Sequence, residues 1–194
     1  MEDIVSLDEE RINIIVAFTS ENRFIGYNKD LPWKRKLKGD KQFLKNIIIP
    51  SEGSKILVIM GRVTYETCPK IKNVQVGVIT SSSLPSAEVL CFKTFDSAVE
   101  FGRSNNFIIV VFGGESIYKE ALNYDHKLFC TIVQDSSLPG DRRFPHCETP
   151  MSNRTLEVEQ YLLSKGIEKT WEVEKNQFLE DGLVYGFYIG ESVK

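Results

Sequence analysis

Short, nearly unbroken apolar runs recur along the chain and alternate with segments of helical periodicity. The runs favour strands at residues 12–18, 55–61, 74–80, 88–92, 107–112 and 127–133. Helical spacing of apolar residues marks residues 37–48, 96–103 and 116–123. Two final strand-like runs, 171–176 and 183–190, are joined through Asp181-Gly182, a hairpin signal. This pattern predicts a three-layer α/β fold, with a mostly parallel, twisted central sheet, an antiparallel C-terminal edge strand and helices on both faces.

The length and charge of the chain limit the number of domains and the kinds of partner that are expected. We expect one domain over residues 12–194, preceded by a solvated, acidic N-terminal extension at residues 1–11. The extension has no basic and apolar signal pattern, which predicts a cytoplasmic location. With 24 basic and 27 acidic residues, no nucleic-acid or membrane partner is expected. The four cysteines form no CxxC pair and only two histidines are present, so no metal site is predicted.

A rigid corner follows the first predicted strand. Residues 25–33 read IGYNKDLPW, in which Pro32 fixes its own φ and Trp33 adds a flat apolar surface. Asp40 is the only acid among residues 31–51. A lone carboxylate beside an apolar strand and a tryptophan suggests a pocket for a flat, cationic or amidine-like ring. The alternative is a surface loop followed by an amphipathic helix with an acidic first turn.

Glycines follow two of the predicted strands. Gly61-Arg62-Val63-Thr64 and Gly113-Gly114-Glu115-Ser116 each connect a strand to a probable helix start. Free N–H groups and the helix dipole favour a phosphate at such a point, and two of them suit a pyrophosphate. Neither segment is a GxGxxG fingerprint. The alternative is that both are only tight strand-to-helix turns.

Together these motifs resemble the dihydrofolate reductase family. The order is IVAF, IG…LPW…D, VIMGRxTxE, ITSSS, VFGGESIY, KLFCTIV and GDxxFP, over about residues 12–190. The resemblance implies an oxidoreductase that uses NADPH to reduce 7,8-dihydrofolate to 5,6,7,8-tetrahydrofolate in one-carbon metabolism, with hydride to C6 and a proton to N5. It also implies a monomer that binds antifolate inhibitors. No thymidylate synthase segment is seen, so we expect the monofunctional form.

The resemblance also implies roles for individual residues. Asp40 would grip the pterin, Thr131 would bond to that carboxylate, Trp33 would close one wall, and Tyr118 would lie near the nicotinamide. Further substrate contacts are implied for Ile15, Val16, Leu31, Lys41, Leu44, Lys45, Thr67, Cys68, Lys72 and Phe112. Cofactor contacts are implied for Ala17, Ile25, Gly26, Gly61, Arg62, Val63, Thr64, Thr80, Ser81, Lys93, Gly113, Gly114, Glu115, Ser116 and Ile117, with a cis peptide between the paired glycines. The loop at residues 19–31 would close over the nicotinamide.

Some positions depart from the family pattern. No arginine precedes the third strand, where the family clamps the substrate's glutamate tail; Lys72, Lys41 and Lys45 are the nearby cations. Phe112 stands where the family has an aliphatic residue and would narrow the pocket. Two alternatives follow. One is an NADPH-dependent pyrimidine reductase of riboflavin synthesis, which would not need Leu-Pro-Trp followed by an acid. The other is a non-catalytic homologue that binds NADPH or folate.

Overall fold

The computed structural model describes residues 4–34, 36–82 and 88–193. Residues 1–3 of the expected extension and residue 194 of the expected domain lie outside these ranges. The strands within them are β1 (Ile12–Thr19), β2 (Phe24–Gly26), β3 (Ile56–Gly61), β4 (Gln75–Ile79), β5 (Val89–Phe92), β6 (Ile108–Gly113), β7 (His126–Val133), β8 (Arg142–Arg143), β9 (Met151–Asn153), β10 (Glu172–Glu174), β11 (Gln177–Glu180) and β12 (Leu183–Glu191). The helices are α1 (Lys38–Ile47), α2 (Arg62–Thr67), α3 (Phe95–Ser104), α4 (Glu115–Ala121) and α5 (Thr155–Ser164).

One large sheet organises the described residues. Its order is β10-β11-β12-β7-β1-β6-β3-β4-β5, with β9 paired to β12. The pairs from β7 to β5 are all parallel, whereas β12 runs antiparallel to β7, β9 and β11. This confirms the predicted α/β fold with a mostly parallel sheet and an antiparallel C-terminal edge. A separate two-stranded sheet joins β2 to β8.

The two faces of the sheet bury separate apolar cores. Along β3, Ile56, Val58 and Met60 face α1 and α5, whereas Leu57 and Ile59 face α3 and α4. This alternation follows from the two-residue period of a strand, and it explains why the strands read as continuously apolar. In the described part of the chain, every helix is too short or too polar to cross a bilayer.

The C-terminal edge is more divided than the sequence predicts. Residues 171–176 do not form one strand: β10 contains three residues, and the chain then turns at Lys175 and Asn176, whose φ angles are 48° and 58°. A strand cannot continue through two residues in the left-handed region. The predicted turn at Asp181-Gly182 is present, and it joins β11 to β12.

Part of the segment that the sequence suggested to be solvated packs against the sheet, within residues 5–8. Val5 is only 4% exposed and belongs to the core on the α1 side. Asn13 accepts a hydrogen bond from the Asp8 N–H and donates one to the Asp8 carbonyl. The ammonium group of Lys127 donates to the carbonyl oxygen of Ser6. The acidic composition of this segment conceals these contacts, because only Val5 and Leu7 pack against the core among its described apolar residues.

Candidate active site

The carboxyl ends of the central parallel strands meet at one edge of the sheet. Thr131 lies near the end of β7, and Gly61 and Gly113 end β3 and β6. Ligands bind at this edge in open α/β sheets. On the side of α1, partly buried apolar residues pack at the border of the core: Ile15, Ala17, Cys68 and Phe112. They give this edge an apolar surface beside the first turn of α1.

Asp40 brings a carboxylate to this apolar surface. Its Oδ1 accepts a hydrogen bond from Oγ1 of Thr131 at 2.5 Å, which joins α1 to β7. Burial raises the pKa of Asp40 from 3.8 to about 6, the Thr131 hydrogen bond opposes the rise, and the negative charge of Glu180 adds to it. The side chain remains partly exposed. A desolvated carboxylate of this kind binds most strongly to a cation or to a ligand that offers paired N–H donors.

Tyr118 is held rigidly beside Asp40. Its hydroxyl donates to the carbonyl oxygen of Ile15 at 2.9 Å, and its ring covers Gly113 so closely that a Cβ there would lie 2.3 Å from it. Burial raises the pKa of the Tyr118 phenol, and Cys130, Cys68 and Asp40 add to the rise. The phenol therefore stays protonated at neutral pH and acts as a hydrogen-bond donor.

The glycines at the ends of β3 and β6 bring the backbones of these two strands close together. The Gly113–Gly114 peptide bond is cis, as the resemblance implied, and Gly113 has φ of 89°. A Cβ on Gly61 would lie 3.7 Å from the Gly114 nitrogen, and one on Gly114 would have only Oγ1 of Thr64 within 4 Å. Two strand ends thus approach closely with a threonine hydroxyl beside them. At Gly114 a ligand can therefore approach the backbone beside the Thr64 hydroxyl, whereas the Tyr118 ring covers Gly113.

Two candidate cofactor residues make contacts within the protein. The guanidinium of Arg62 donates to Oε1 of Glu66 at 2.8 Å and to the Ser82 hydroxyl at 2.6 Å. Oε2 of Glu115 accepts from the Arg143 N–H at 3.1 Å, which joins α4 to β8. These bonds use two of the five N–H donors of the guanidinium, so Arg62 can also donate to a phosphate.

Two of the candidate contact residues have side chains that are buried in the core and do not line the cleft. Val16 and Ile117 are 5% and 4% exposed in the core on the α3 and α4 side. Only their backbones are available to the cleft. Within α1, Phe43 is buried, whereas Leu44 is only partly buried.

Trp33 is 2% exposed and packs in the α1 core. Besides Asp40, Leu44 and the apolar residues at the border of the core, the partly buried candidates are Ile25, Gly26, Gly61, Thr64, Thr80 and Gly114. The exposed candidates are Leu31, Lys41, Lys45, Arg62, Val63, Thr67, Lys72, Ser81, Lys93, Glu115 and Ser116.

The loop at residues 19–31 is fastened to the chain that precedes β8. Oδ2 of Asp141 accepts from the Asn28 N–H at 3.0 Å, and the Asp141 N–H donates to the Gly26 carbonyl at 2.9 Å. Gly140 lies against Phe24, since a Cβ there would be 2.0 Å from the ring. The sequence reasoning did not assign these contacts, although the GDxxFP motif contains both residues.

Comparisons with known proteins agree with this geometry. A family model described as dihydrofolate reductase matches residues 11–161. A dihydrofolate reductase of Schistosoma mansoni is 34% identical over 150 residues, which cover 70% of this chain and 78% of that protein. One of Bos taurus is 31% identical over 153 residues, covering 71% and 80%. The solved structure of Schistosoma mansoni dihydrofolate reductase is similar, with a TM-score of 0.71, 25% identity, and coverage of 95% of this chain and 99% of that one.

Proposed function

The chain belongs to the dihydrofolate reductase family, and we propose that it catalyses the NADPH-dependent reduction of 7,8-dihydrofolate to 5,6,7,8-tetrahydrofolate. It is an oxidoreductase by family. The observation that carries the proposal is the carboxylate of Asp40, which lies beside apolar residues and is held by Thr131. Few ligands suit such a group better than a flat ring that presents two parallel N–H donors.

Asp40 binds the pterin through N3 and the 2-amino group. Two parallel N–H bonds to one carboxylate are strong because the acceptor is charged and the geometry is bidentate. Thr131 fixes the rotation of the carboxylate, and Phe112 and Ile15 give the ring an apolar border. The backbone carbonyl oxygens of Ile15 and Phe112 line the edge of the ring.

The bare backbone at the ends of β3 and β6 fits the nicotinamide cofactor. When bound, NADPH supplies the hydride that C6 of the pterin receives. With NADPH bound, the Gly113–Gly114 backbone and Tyr118 would flank the nicotinamide, and Gly61 and Thr64 would bind the phosphates. Gly114 supports this placement, because a Cβ there would have only the Thr64 hydroxyl oxygen within 4 Å and its backbone is therefore open to a ligand. Arg62, Ser81 and Lys93 provide exposed polar groups for the remaining phosphate charge.

The proton for N5 comes from water. Asp40 lies at the opposite edge of the bound pterin, so its role is to hold the ring and to favour the tautomer that is more easily protonated at N5. Trp33 closes one wall and limits access of bulk water.

The glutamate tail of the substrate needs a cation that the family usually supplies as arginine. Lys41, Lys45 and Lys72 are exposed here. A lysine ammonium is a point charge without the fork of a guanidinium, so the tail is held less specifically. We therefore expect the affinity for dihydrofolate to depend strongly on ionic strength.

The proposed reaction is tested by the loss of NADPH absorbance on addition of dihydrofolate, with a folate-analogue inhibitor as the control. Asp40→Asn keeps the size of the side chain and removes its charge, so turnover is expected to fall by a factor of about 100 or more while NADPH affinity stays unchanged. Asp96→Asn, on α3 at the other face of the sheet, is the matched variant and is expected to keep wild-type activity. Absence of oxidation by a protein that binds NADPH would overturn the proposal in favour of a non-catalytic homologue.

A further inference from the structure

A second carboxylate is buried directly behind the first turn of α1. Glu180, the last residue of β11, is 2% exposed. Its Oε2 accepts hydrogen bonds from the Gly39 N–H at 3.1 Å and from the Tyr185 hydroxyl at 2.7 Å. Its Oε1 accepts one from the Thr170 hydroxyl. The three donors belong to α1, β12 and the segment before β10, so Glu180 joins three parts of the chain.

The contact to Gly39 provides a hydrogen-bond acceptor for a backbone N–H group at the start of α1. The first N–H groups of a helix have no partner within the helix, and the N-cap residue Leu37 has no side-chain group that could accept from them. Glu180 provides the acceptor from a neighbouring strand. A negative charge at this end of a helix is also favoured by the helix dipole.

Gly39 permits the close approach that this contact needs. A Cβ at residue 39 would lie 2.6 Å from the Tyr185 hydroxyl oxygen and 3.2 Å from the Phe178 ring. Phe178 is in turn stacked on Trp171, with ring centroids 4.7 Å apart. The first turn of α1 is thus seated against a rigid aromatic group, and the residue after Gly39 is Asp40.

We propose that Glu180 is a positioning residue for Asp40: by accepting the Gly39 N–H it fixes the first turn of α1, and thereby holds the Asp40 carboxylate against Thr131. This inference rests on the proposed function of Asp40. The negative charge of Glu180 has a second effect, because it disfavours the ionised form of Asp40 and so strengthens the preference of Asp40 for a ligand that brings N–H donors or positive charge.

The groups around the two carboxylates are consistent with this role. Burial raises the pKa of Asp40 to about 6 and Glu180 adds to the rise. Burial raises the pKa of the Tyr185 phenol on β12 and of the Tyr118 phenol on α4, and the charge of Asp40 adds to the rise in both. Lys38 is paired with Asp181 at 3.2 Å in a solvent-exposed ion pair. A pKa of about 6 places the change of charge of Asp40 between mildly acidic and neutral pH.

Two variants separate the position of Glu180 from its charge. Glu180→Gln keeps an oxygen acceptor for the Gly39 N–H and removes the charge. Glu180→Asp keeps the charge and shortens the reach by one methylene group. Asp181→Asn is the control, because it removes the neighbouring exposed charge and asparagine tolerates the φ of 49° at that position.

The titration of Asp40 is measured without catalysis, by carbon-13 NMR of aspartate labelled at the carboxyl carbon, with Asp40→Asn assigning the signal. Glu180→Gln is expected to move this titration down by about half a pH unit. Glu180→Asp is expected to leave it within about 0.2 pH unit and to lower kcat/KM for dihydrofolate about tenfold, with NADPH affinity unchanged.

The inference is overturned if both variants leave the Asp40 titration and kcat/KM unchanged, or if Asp181→Asn causes the same changes. It is equally overturned if the loss of activity only follows a fall in Tm. A wild-type protein that does not reduce dihydrofolate would instead overturn the proposed function, and the titration would still decide whether Glu180 acts on Asp40.

Discussion

The hydroxyl oxygen of Thr131 lies 2.5 Å from Oδ1 of Asp40 and donates a hydrogen bond to it. This hydrogen bond fixes the Asp40 carboxylate, on α1, in position beside β7. This bond favours the ionised form of Asp40, whereas burial and Glu180 disfavour it. Because the burial contribution is larger, the pKa of Asp40 settles at about 6. Removing any of these contributions is therefore expected to change the pKa of Asp40, and with it the pH range in which the ionised carboxylate can bind a pterin.

Thr131→Val tests the first contribution. Without the hydroxyl, the pKa of Asp40 rises further, and more of the enzyme is protonated at neutral pH. We expect the acidic limb of kcat/KM for dihydrofolate to move to higher pH, and its value near pH 6 to fall about tenfold. Thr131→Ser keeps a donor and should retain the wild-type profile. A limb that stays in place in the valine variant would show that the hydrogen bond does not control the ionisation of Asp40.

Asp40→Asn is predicted to make the protein more stable at neutral pH while removing activity. The pKa of folded Asp40 is raised from 3.8 to about 6, so between these values the folded state binds more protons than the unfolded state. Stability from this group is therefore complete below about pH 4 and is lost as the pH rises through 6. The variant should gain up to about 3 kcal/mol in free energy of unfolding near pH 8.

Urea unfolding at two pH values measures this gain. Near pH 3, below both pKa values, the wild-type carboxyl is mostly protonated in both states, so the two proteins are expected to differ by less than about 0.5 kcal/mol. A gain of the same size at both pH values would mean that the asparagine stabilises the fold for a reason other than charge.

Much of the fold could be predicted because the parallel strands are buried on both faces. Runs such as residues 107–112 are apolar throughout, and the glycines after β3 and β6 mark where those strands end. Asp40 could be found because it is the only acid in its segment and follows a rigid Leu-Pro-Trp corner. These are local signals, and each appears in a short stretch of sequence.

The remainder depends on contacts between distant parts of the chain. Glu180 precedes a hairpin turn like many surface glutamates, and its burial results from Gly39 and Tyr185. Val5 is buried although it stands in a strongly acidic segment. Strands such as β2 and β8 contain two or three residues, which is too short for a period to be seen.

Gly140→Ala is predicted to release the loop at residues 19–31. A Cβ at residue 140 would lie 2.0 Å from the Phe24 ring, so β2 and β8 must separate to admit it. We expect a weaker affinity for NADPH, by about tenfold, and faster proteolytic cleavage within the loop. Asp141→Ala removes the acceptor of the Asn28 N–H and should act in the same direction.

Ser137→Ala is the control for these loop variants. Its hydroxyl bonds only to Asp135 among the described hydrogen bonds, and both residues are outside the β2–β8 pair. If Ser137→Ala weakens NADPH binding as much as Gly140→Ala does, the effect does not come from the contact with Phe24.

Asn13→Ala is predicted to destabilise the protein without changing its catalysis. Asn13 is fully buried, and its side chain bonds to the Asp8 N–H at 2.7 Å, the Asp8 carbonyl at 2.8 Å and the Ile109 carbonyl at 3.1 Å. Alanine leaves these backbone groups without that partner, which is expected to lower the free energy of unfolding by about 2–4 kcal/mol.

Asn105→Ala is the control. It removes an exposed hydrogen bond to Phe101 and should lower the free energy of unfolding by less than about 1 kcal/mol. Because Asn13 lies at the amino-terminal end of β1, away from Thr131 and Gly113, kcat at a temperature below the unfolding transition should be unchanged. Equal losses of stability in the two variants would show that Asn13 does not hold the N-terminal segment to the sheet.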